Sequence, residues 1–375
     1  MPFEYYQYVG NEKLRFGYTT GTCAALAAQA SVYMLLSGKS ISSASLCTPK
    51  GIEVQTEIFD IDFNKHFASC AVKKDGGDDY DATDGLLIYS KAEKISDGIL
   101  IEGGKGIGIV TKKGLDQPVG SAAINSVPRK MIQNEVEKAC KSMTYSGGIK
   151  ITIYVPEGEK AAEKTFNPNI GIVGGISIIG TSGIVEPQSL KALCDTVKLE
   201  INVIKETGAS GIILTPGNYG ENYIKSMNIE KIPYVKCSNF IGDAIEKASQ
   251  EGFKDILLVG HIGKFIKLSG GIMNTHSSFG DCRMEILASY AALFGAGRKC
   301  IEEIFSCAVC DEALDIIENA GVLDKVMNHA VKQAQEHLKR HVAKDSCIGV
   351  VFFSNKRGLL AKSSGAEEIL SKWKK

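Results

Sequence analysis

The chain from residue 166 onward alternates short apolar runs with amphipathic stretches, and this alternation restricts the fold more than any other feature. The helical stretches span residues 190–207, about 220–227 and about 240–251. The strand-like runs are IGIVGGISIIG (170–180), SGIILTPG (210–217), PYVKCSN (233–239) and DILLVGH (255–261). Strands that alternate with helices at this spacing predict an α/β fold with a mostly parallel, doubly wound sheet.

The first part of the chain mixes strand and helix patterns. Alternating apolar and polar residues predict strands at 52–58 and 149–155, with a weaker strand at 66–72, and an apolar stripe predicts a helix over 126–143. A polar, proline-bracketed stretch at 156–169 follows. We therefore expect an N-terminal mixed-sheet α/β domain of residues 1–165. A second domain of residues 166–375 should have a largely helical C-terminal part and a last strand at 347–353.

Charge and cysteine usage limit the functional classes. Lys plus Arg equal Asp plus Glu, at 43 each, so no global field draws the chain to nucleic acid or an anionic membrane. The 11 cysteines and the lack of an apolar leader or membrane span favour a cytoplasmic protein with reduced thiols. A CxxC pair occurs near a third cysteine, but a structural zinc site normally has four ligands, so buried helix cysteines are the favoured interpretation of Cys300, Cys307 and Cys310.

Four turns follow the predicted strands and are rich in Gly, Thr, Ser and Asn. Ligands of doubly wound sheets bind at the carboxyl ends of the strands, so these turns predict a shared pocket. The chain has no GxGxxG fingerprint in this domain and no P-loop anywhere, so the usual signatures for NAD and ATP are absent. The turns are GTSGIVEP (180–187), TPGNYG (215–220), CSNFIGD (237–243) and GHIGKF (260–265).

In the stretch RFGYTTGTCAALAAQAS (15–31), three threonines and two glycines precede an alanine-rich run that predicts a helix. A threonine can cap the helix, and free N–H groups at a helix N-terminus bind anions. The alanines allow another element or a flat ligand to approach closely. A capped core helix packed on a sheet explains the alanines equally well. We expect anion binding by Arg15, Thr19, Thr20, Gly21 and Thr22.

Two further segments carry clustered charge. The loop VKKDGGDDYDATDG (72–85) holds five aspartates within ten residues, whose repulsion must be offset by lysines, backbone donors or raised pKa values. It fails the EF-hand pattern, and it is either a solvated acidic loop or a functional one. The segment GHIGKFIKLSGGIMNTHSSFGDCR (260–283) follows a predicted strand and carries two histidines and two lysines that we expect to bind a ligand: His261, Lys264, Lys267 and His276.

These segments together resemble one family, the cobalt-precorrin-5B C(1)-methyltransferases of the CbiD type from anaerobic cobalamin biosynthesis. The matching stretches span residues 15–277. They are GYTTGTCAA, the acidic loop, GGKGIGIVTKKGL, GTSGIVEP, TPGNYG and GHIGKFIKLSGGIMNTHS. The resemblance implies an N-terminal α/β domain joined to a Rossmann-like domain. It also implies a C-methyltransferase that uses S-adenosylmethionine to methylate C-1 of cobalt-precorrin-5B, giving cobalt-precorrin-6A, with cobalt present only as part of the substrate.

Under this resemblance the candidate residues divide into three sets. Lysines, arginines and helix N-termini suit the carboxylate rim of a tetrapyrrole, glycine-rich turns suit the cofactor, and an aspartate is the hypothetical proton acceptor. The catalytic candidates are Asp75, Asp78 and Asp79. The substrate-binding candidates are Arg15, Thr19, Thr20, Gly21, Thr22, Lys73, Lys74, His261, Lys264, Lys267 and His276. The cofactor-binding candidates are Gly180, Thr181, Ser182, Gly183, Thr215, Gly217, Asn218 and Gly220.

Two alternatives stay open at the level of the sequence. One is a small-molecule phosphoryl transferase, because the helix mouth in TTGTCAA superficially resembles phosphate-binding turns. The other is a non-catalytic tetrapyrrole-binding protein. We expect a small-molecule tetrapyrrole substrate, no nucleic acid, no membrane and no protein-bound metal. A homo-oligomer is compatible with the sequence, which does not decide the oligomeric state.

Overall fold

The structure is a computed structural model that describes residues 3–9, 12–79, 81–187, 189–229 and 231–374. It divides into two compact units, Met1–Leu190 and Lys191–Lys375. The division therefore falls 25 residues after the boundary expected from the proline-bracketed stretch. Residues 166–190 belong to the first unit because two of their short strands pair with strands from its earlier part.

The first unit holds thirteen strands and four helices among its described residues. The strands are β1 (Tyr6–Val9), β2 (Glu12–Arg15), β3 (Gly17–Tyr18), β4 (Ser43–Cys47), β5 (Glu53–Glu57), β6 (Phe59–Phe63), β7 (Phe67–Lys73), β8 (Leu87–Ile95), β9 (Ile99–Gly103), β10 (Ile109–Val110), β11 (Gly148–Tyr154), β12 (Ile172–Val173) and β13 (Ile184–Val185). The helices are α1 (Thr20–Ser37), α2 (Ser126–Ser142), α3 (Gly158–Ala162) and α4 (Asn167–Ile170).

The main sheet of the first unit is mixed, in the order β6-β7-β8-β11-β9, with β11 parallel to β9 and antiparallel to β8. Helix α1 packs against this sheet and against α2. Its alanines at 24, 25, 27, 28 and 30 are fully buried, which lets the strands approach the helix backbone. The Cys70 thiol reaches the Ala27 carbonyl at 3.4 Å, and the Ser31 and Ser90 hydroxyls lie 3.1 Å apart. The core-helix interpretation of the alanine run is therefore confirmed.

The second unit surrounds one sheet with helices. The strands are β14 (Gly211–Thr215), β15 (Tyr234–Lys236), β16 (Asp255–His261), β17 (Cys347–Ser354) and β18 (Gly358–Lys362). The helices are α5 (Leu190–Lys205), which starts at the boundary, α6 (Asn218–Ser226), α7 (Ile241–Gln250), α8 (Ile262–Ser269), α9 (Arg283–Leu293), α10 (Arg298–Phe305), α11 (Cys310–Asn319), α12 (Leu323–Leu338) and α13 (Ser364–Trp373). Short 3-10 turns lie at Ser277–Phe279 and Lys339–His341.

This second sheet has the order β15-β14-β16-β17-β18, and only β18 runs antiparallel to its neighbour. Alternate residues of its strands face two separate cores. Ile212, Leu214 and Leu258 pack with α5, α7, α8 and α12, whereas Ile213 and Val259 pack with α6 and α13. Apolar residues on both faces explain why these strands are continuous apolar runs. A mostly parallel sheet covered on both faces is what the alternating pattern predicts.

One predicted strand is wrong. The run IGIVGGISIIG (170–180) does not enter the parallel sheet; it contributes only the two-residue β12, which pairs with β10 in the first unit. The run is apolar because Ile176 and Ile178 are buried in the core around α1, where they form isolated bridges to Ile107 and Ile124. An apolar run indicates burial, and here the burial is against a different sheet system from the one expected.

Candidate functional site

The start of α1 is enclosed within its own unit. The Thr19 hydroxyl caps the helix by accepting a hydrogen bond from the Thr22 N–H at 3.2 Å. The Thr22 hydroxyl donates to the Gly183 carbonyl at 2.6 Å, and the Gly21 N–H donates to the Ile179 carbonyl at 3.0 Å. These donors of the first turn are therefore used inside the unit. The anion site predicted at this N-terminus finds no support in this arrangement.

The turn at 180–183 closes over the same helix start. The Thr20 hydroxyl, 3% exposed, accepts from the Ile179 N–H at 2.9 Å. Gly180 has a φ of 131°, and a Cβ there would come within 2.3 Å of the Thr19 hydroxyl oxygen, so the turn requires glycine. The prediction that this turn lies at the parallel sheet is wrong, because β13 follows it and pairs with β3 in the first unit.

The acidic loop, defined as residues 74–85, is held by internal donors. Arg15 binds both carboxylate oxygens of Asp75, at 2.6 and 2.8 Å. The backbone N–H of Arg15 donates to the Asp78 carboxylate at 2.6 Å, and the backbone N–H of Asp78 donates to the Arg15 carbonyl at 3.0 Å. The Gly76 N–H donates to Asp84 at 2.7 Å. The repulsion among the aspartates is therefore offset, as expected, by Arg15, by backbone N–H donors and by one lysine of the loop.

The lysine of this loop is Lys74, which the sequence analysis assigned to substrate binding. Its side chain is 1% exposed, and its ammonium pairs with Asp81 at 2.6 Å. The other Asp81 oxygen accepts from the Thr83 N–H and hydroxyl, at 2.8 and 2.6 Å. Lys74 is therefore a buried structural cation, whereas its neighbour Lys73 is exposed.

The ion pair fixes the protonation state of Asp75. Burial alone would raise the pKa of the Asp75 carboxyl, but the hydrogen bonds from Arg15 and from the Gly77 N–H outweigh burial and hold that pKa below its ordinary value. A carboxylate with a lowered pKa and two oxygens bound by arginine is a weak base. Asp75 is therefore poorly suited to accept a proton.

Replacing Arg15 with leucine is expected to raise the pKa of Asp75 toward its ordinary value. The lowered pKa contributes stability that is present above the unfolded carboxyl pKa and is lost as the pH falls through the folded pKa. The acid-unfolding midpoint of R15L should therefore move to higher pH, measured by circular dichroism together with a carboxyl-carbon NMR titration of Asp75. Lys39→Leu, which removes an exposed charge near the end of α1, is the control. An unchanged Asp75 titration in R15L would contradict the assignment.

The second sheet has a topological switch point at the carboxyl edge of its parallel strands. From β14 the chain passes through α6 to β15 on one side, and from β15 through α7 to β16 on the other side of β14. The strand order therefore reverses between β14 and β16, which is where doubly wound sheets bind ligands. Five predicted residues lie at this point: Thr215 ends β14, Gly217 caps α6 and Asn218 begins it, His261 ends β16, and Lys264 lies in the first turn of α8.

Thr215 has an unusual environment at this switch point. It is 0% exposed, and its hydroxyl oxygen has no hydrogen-bond partner among the described residues. Gly220 packs directly against that oxygen, since a Cβ on Gly220 would come within 1.7 Å of it. A buried hydroxyl without a partner is costly, and an ordered water or a bound polar group are among the features that can explain one.

His261 accepts one hydrogen bond and lies near an aspartate that the sequence analysis did not identify. Its Nδ1 accepts from the Gly263 N–H at 3.1 Å, and its Nε2 lies 3.8 Å from Asp311 at the start of α11. Asp311 in turn accepts from the Ser354 hydroxyl at 2.6 Å, at the end of β17. Burial lowers the pKa of His261 while Asp311 opposes that shift, so burial keeps the imidazole mainly neutral near pH 7.

The other cationic candidates of this segment differ in availability. Lys267 is 3% exposed, and its ammonium donates to the carbonyls of Thr275 and Gly280, at 3.2 and 2.9 Å. It therefore serves the fold of the 270–282 segment. Lys264 is half-buried, and burial lowers the pKa of its ammonium. His276 is exposed and accepts from the Ser278 N–H through Nδ1 at 3.2 Å.

Two family models and several curated relatives match this chain. A model described as CbiD covers residues 7–187, and one described as the CbiD C-terminal domain covers residues 274–364. A cobalt-precorrin-5B C(1)-methyltransferase of Thermoanaerobacter sp. (strain X514) is 45% identical over 362 residues, which is 96% of this chain and 98% of the relative. The chain belongs to the CbiD family. A cobalt-precorrin-5B C(1)-methyltransferase of Ruminiclostridium cellulolyticum is 46% identical over 92% of this chain and 90% of its own length.

Among solved structures, a 1.9 Å crystal structure of a CbiD cobalamin biosynthesis protein from Archaeoglobus fulgidus is similar to this chain. It has 29% sequence identity, covers 71% of this chain and 83% of that chain, and gives a TM-score of 0.39. The family resemblance inferred from the sequence motifs is confirmed by the two family models and by the relatives from Thermoanaerobacter and Ruminiclostridium. The first family model falls within the first unit, and the second falls within the second unit.

The predicted residues of this CbiD chain fall into separate groups. Arg15, the threonines, the acidic loop and the 180–183 turn lie in the first unit, whereas the 215–220 turn and the 261–276 residues lie in the second. The two sets of predicted cofactor residues therefore belong to different units. Asp311 and Ser354 were missed because neither lies in a motif, and only the fold brings them to His261.

The cysteines of the CxxC segment differ in burial. Cys310 is buried at the start of α11, and Cys300 and Cys307 are half-buried around α10. Across the described ranges, no group of three or more His, Cys, Asp or Glu side chains is arranged to hold a metal ion. In the same ranges, no helix combines the length and apolar character that spanning a bilayer requires.

Proposed function

We infer that this chain is an S-adenosylmethionine-dependent methyltransferase that methylates C-1 of cobalt-precorrin-5B. The observation that supports this inference is the similarity, over almost the whole chain, to CbiD relatives that are named cobalt-precorrin-5B C(1)-methyltransferases. No comparison supports a phosphoryl transferase or a non-catalytic carrier. The cobalt belongs to the substrate.

The second unit is the proposed Rossmann-like donor site, at the strand reversal between β14 and β16. The buried Thr215 hydroxyl supports this location, because it has no partner in the described chain and a ligand could supply one. The backbone of the 215–220 turn and the Gly217 N-cap of α6, which carries no side-chain cap, provide N–H groups for a carboxylate or hydroxyl. When bound, S-adenosylmethionine supplies an electrophilic methyl group on sulfur. The unit's task is to hold that group in line and to exclude water.

The first unit is the proposed tetrapyrrole side of the enzyme. Positioning can supply roughly 7–11 kcal/mol of the barrier in favourable cases, so the protein needs few catalytic groups. Asp78 and Asp79 stay the proposed proton acceptors of the acidic loop, since the pKa of Asp75 is lowered. Asp78→Asn and Asp79→Asn enzymes that keep full turnover with an intact fold would remove this role.

The function is tested with isotope-labelled S-adenosylmethionine and cobalt-precorrin-5B. Mass spectrometry should show one labelled methyl group in the tetrapyrrole, and NMR should place it at C-1. Label that stays with the donor, or that enters another position, would overturn the assignment. Calorimetry with S-adenosylhomocysteine tests the donor site without the tetrapyrrole.

Replacing Thr215 with valine is expected to weaken cofactor binding while increasing the stability of the fold. Valine keeps the shape of the side chain but removes the unpartnered hydroxyl, so the free energy of unfolding should be about 1 kcal/mol higher than in the wild type. Binding of S-adenosylhomocysteine should weaken about three- to tenfold, because one hydrogen bond is lost. Denaturant unfolding and calorimetry measure the two quantities. Thr207→Val, at an exposed hydroxyl of the same unit, is the control. Unchanged affinity in T215V would move the donor away from β14.

A further inference from the structure

The first unit contains a groove to which no function has been assigned above. It has a volume of about 410 Å³ and lies between α2 and the turn that follows β4. We name it the α2 groove. Its walls include Leu46, Pro49, Val127, Met131 and Asn134. Thr181 lines one part of it, so the turn predicted to bind the cofactor borders this groove with its exposed side chain.

The charges of the α2 groove are arranged along one helix. Lys130 and Lys138 are eight residues apart, which places them about 12 Å apart along the axis of α2. Glu135 lies between them, is 4% exposed, and is compensated by Lys138 at 2.6 Å and by the Gln29 amide at 2.6 Å. The ammonium of Lys130 has no ion pair or hydrogen bond within the described part of the chain, so the lining keeps a net positive charge.

Another cavity, in the second unit, has a different character. It has a volume of about 340 Å³ and lies between α5 and α7 in the second unit. Its two lysines are already paired, Lys198 with Asp243 at 2.9 Å and Lys247 with Glu251. Three acidic residues, Asp195, Asp243 and Glu246, line it. An anionic ligand is therefore favoured in the α2 groove and disfavoured between α5 and α7.

Apolar walls beneath a positive rim match one edge of a flat ring system that carries carboxylate side chains. The volume is at the small end of ligand pockets, so the groove fits part of a macrocycle rather than all of it. We propose that the α2 groove binds one pyrrole edge of the tetrapyrrole substrate, with Lys130 binding a peripheral carboxylate and Met131 and Val127 contacting the ring. The identity of the ligand as a tetrapyrrole rests on the proposed function.

Binding of an octacarboxylate porphyrin to the full-length chain, followed by fluorescence quenching, tests this assignment. Lys130→Glu should weaken binding about tenfold or more, because a charged hydrogen bond is replaced by repulsion. Asn134→Trp should weaken it similarly by filling the groove. The matched controls are Lys141→Glu and Gln133→Trp, on the same helix but outside the groove lining, and they should stay within about twofold of wild type. The four positions are exposed, so the variants should fold.

The outcomes separate the groove from the overall function. Weaker porphyrin binding in K130E and N134W, with unchanged S-adenosylhomocysteine affinity and unchanged controls, supports the assignment. Equal binding in all four variants, or an amidated porphyrin that binds as well as the carboxylate form, overturns it. If the wild type methylates cobalt-precorrin-5B while the porphyrin results are negative, the groove assignment fails and the proposed function stands. A wild type that neither binds the porphyrin nor methylates overturns both.

Discussion

Replacing Asp81 with asparagine is expected to lower the free energy of unfolding by about 3–5 kcal/mol, since it leaves a buried ammonium without its counter-charge. The ammonium is that of Lys74, whose side chain is 1% exposed and lies 2.6 Å from Asp81. The matched variant Lys74→Met removes the buried charge itself and should cost much less, because Asp81 keeps its two bonds from Thr83 and is 23% exposed. Denaturant unfolding at neutral pH measures both changes.

The double variant and the pH dependence complete this test. K74M with D81N should be more stable than D81N alone, because no charge is then buried without a partner. Burial alone would raise the pKa of Asp81, but Lys74 and Thr83 lower it below its ordinary value. Its contribution is therefore present above the unfolded carboxyl pKa and lost as the pH falls through the folded pKa, and D81N should lack that acid dependence. A D81N variant as stable as wild type would show that Lys74 is not paired there.

Replacing Gly106 with alanine is expected to lower the free energy of unfolding by about 3 kcal/mol or more, from backbone strain combined with a steric clash. Gly106 has a φ of 75°, and an added Cβ would come within 1.8 Å of the Val155 carbonyl oxygen. Gly158 and Gly175 both pack against the Gly106 carbonyl, at 2.1 and 2.2 Å from their would-be Cβ atoms. Three segments of the first unit therefore meet at one point that has no room for a side chain.

The control for this variant is Gly120→Ala in the same unit. Gly120 has a φ of 88° but open space around its would-be Cβ, so alanine there adds strain without a clash and should cost about 1 kcal/mol. Thermal and denaturant unfolding of the two variants compare the two effects. Equal losses would mean that strain alone acts at Gly106 and that the three-glycine junction is unimportant.

Sequence patterns predicted the elements that depend on local periodicity. The helix expected at 126–143 is α2, the strands expected at 52–58, 66–72 and 149–155 are β5, β7 and β11, and the strand expected at 347–353 is β17. These elements bury one regular face or two, and the period of their apolar residues records that burial. The run at 170–180 was assigned to the wrong sheet because its composition does not tell which surface covers it.

Side-chain roles were harder to predict than elements. Lys74 and Lys267 have the same sequence character as Lys73 and Lys264, yet the first two are buried among internal acceptors. Which lysine faces a carbonyl and which faces solvent depends on partners far along the chain. The Thr215 hydroxyl has no partner among the described residues, and α6 packs Gly220 against it. None of these facts is encoded in a local motif, whereas the family membership was encoded in several long ones.

The pairing of β3 with β13 fixes when the first unit can finish folding during synthesis on the ribosome. The Thr22 hydroxyl and its Gly183 acceptor are 161 positions apart, and the strands they adjoin are as widely separated. A nascent chain that has emerged only to residue 165 lacks β13 and the carbonyls that satisfy the start of α1. Contacts between residues so far apart in the sequence form slowly, because closing the intervening loop costs conformational entropy before the contact contributes any stability. The amino-terminal unit therefore completes late, after its last 25 residues have left the exit tunnel, and the first turn of α1 stays without its Ile179 and Gly183 acceptors until then.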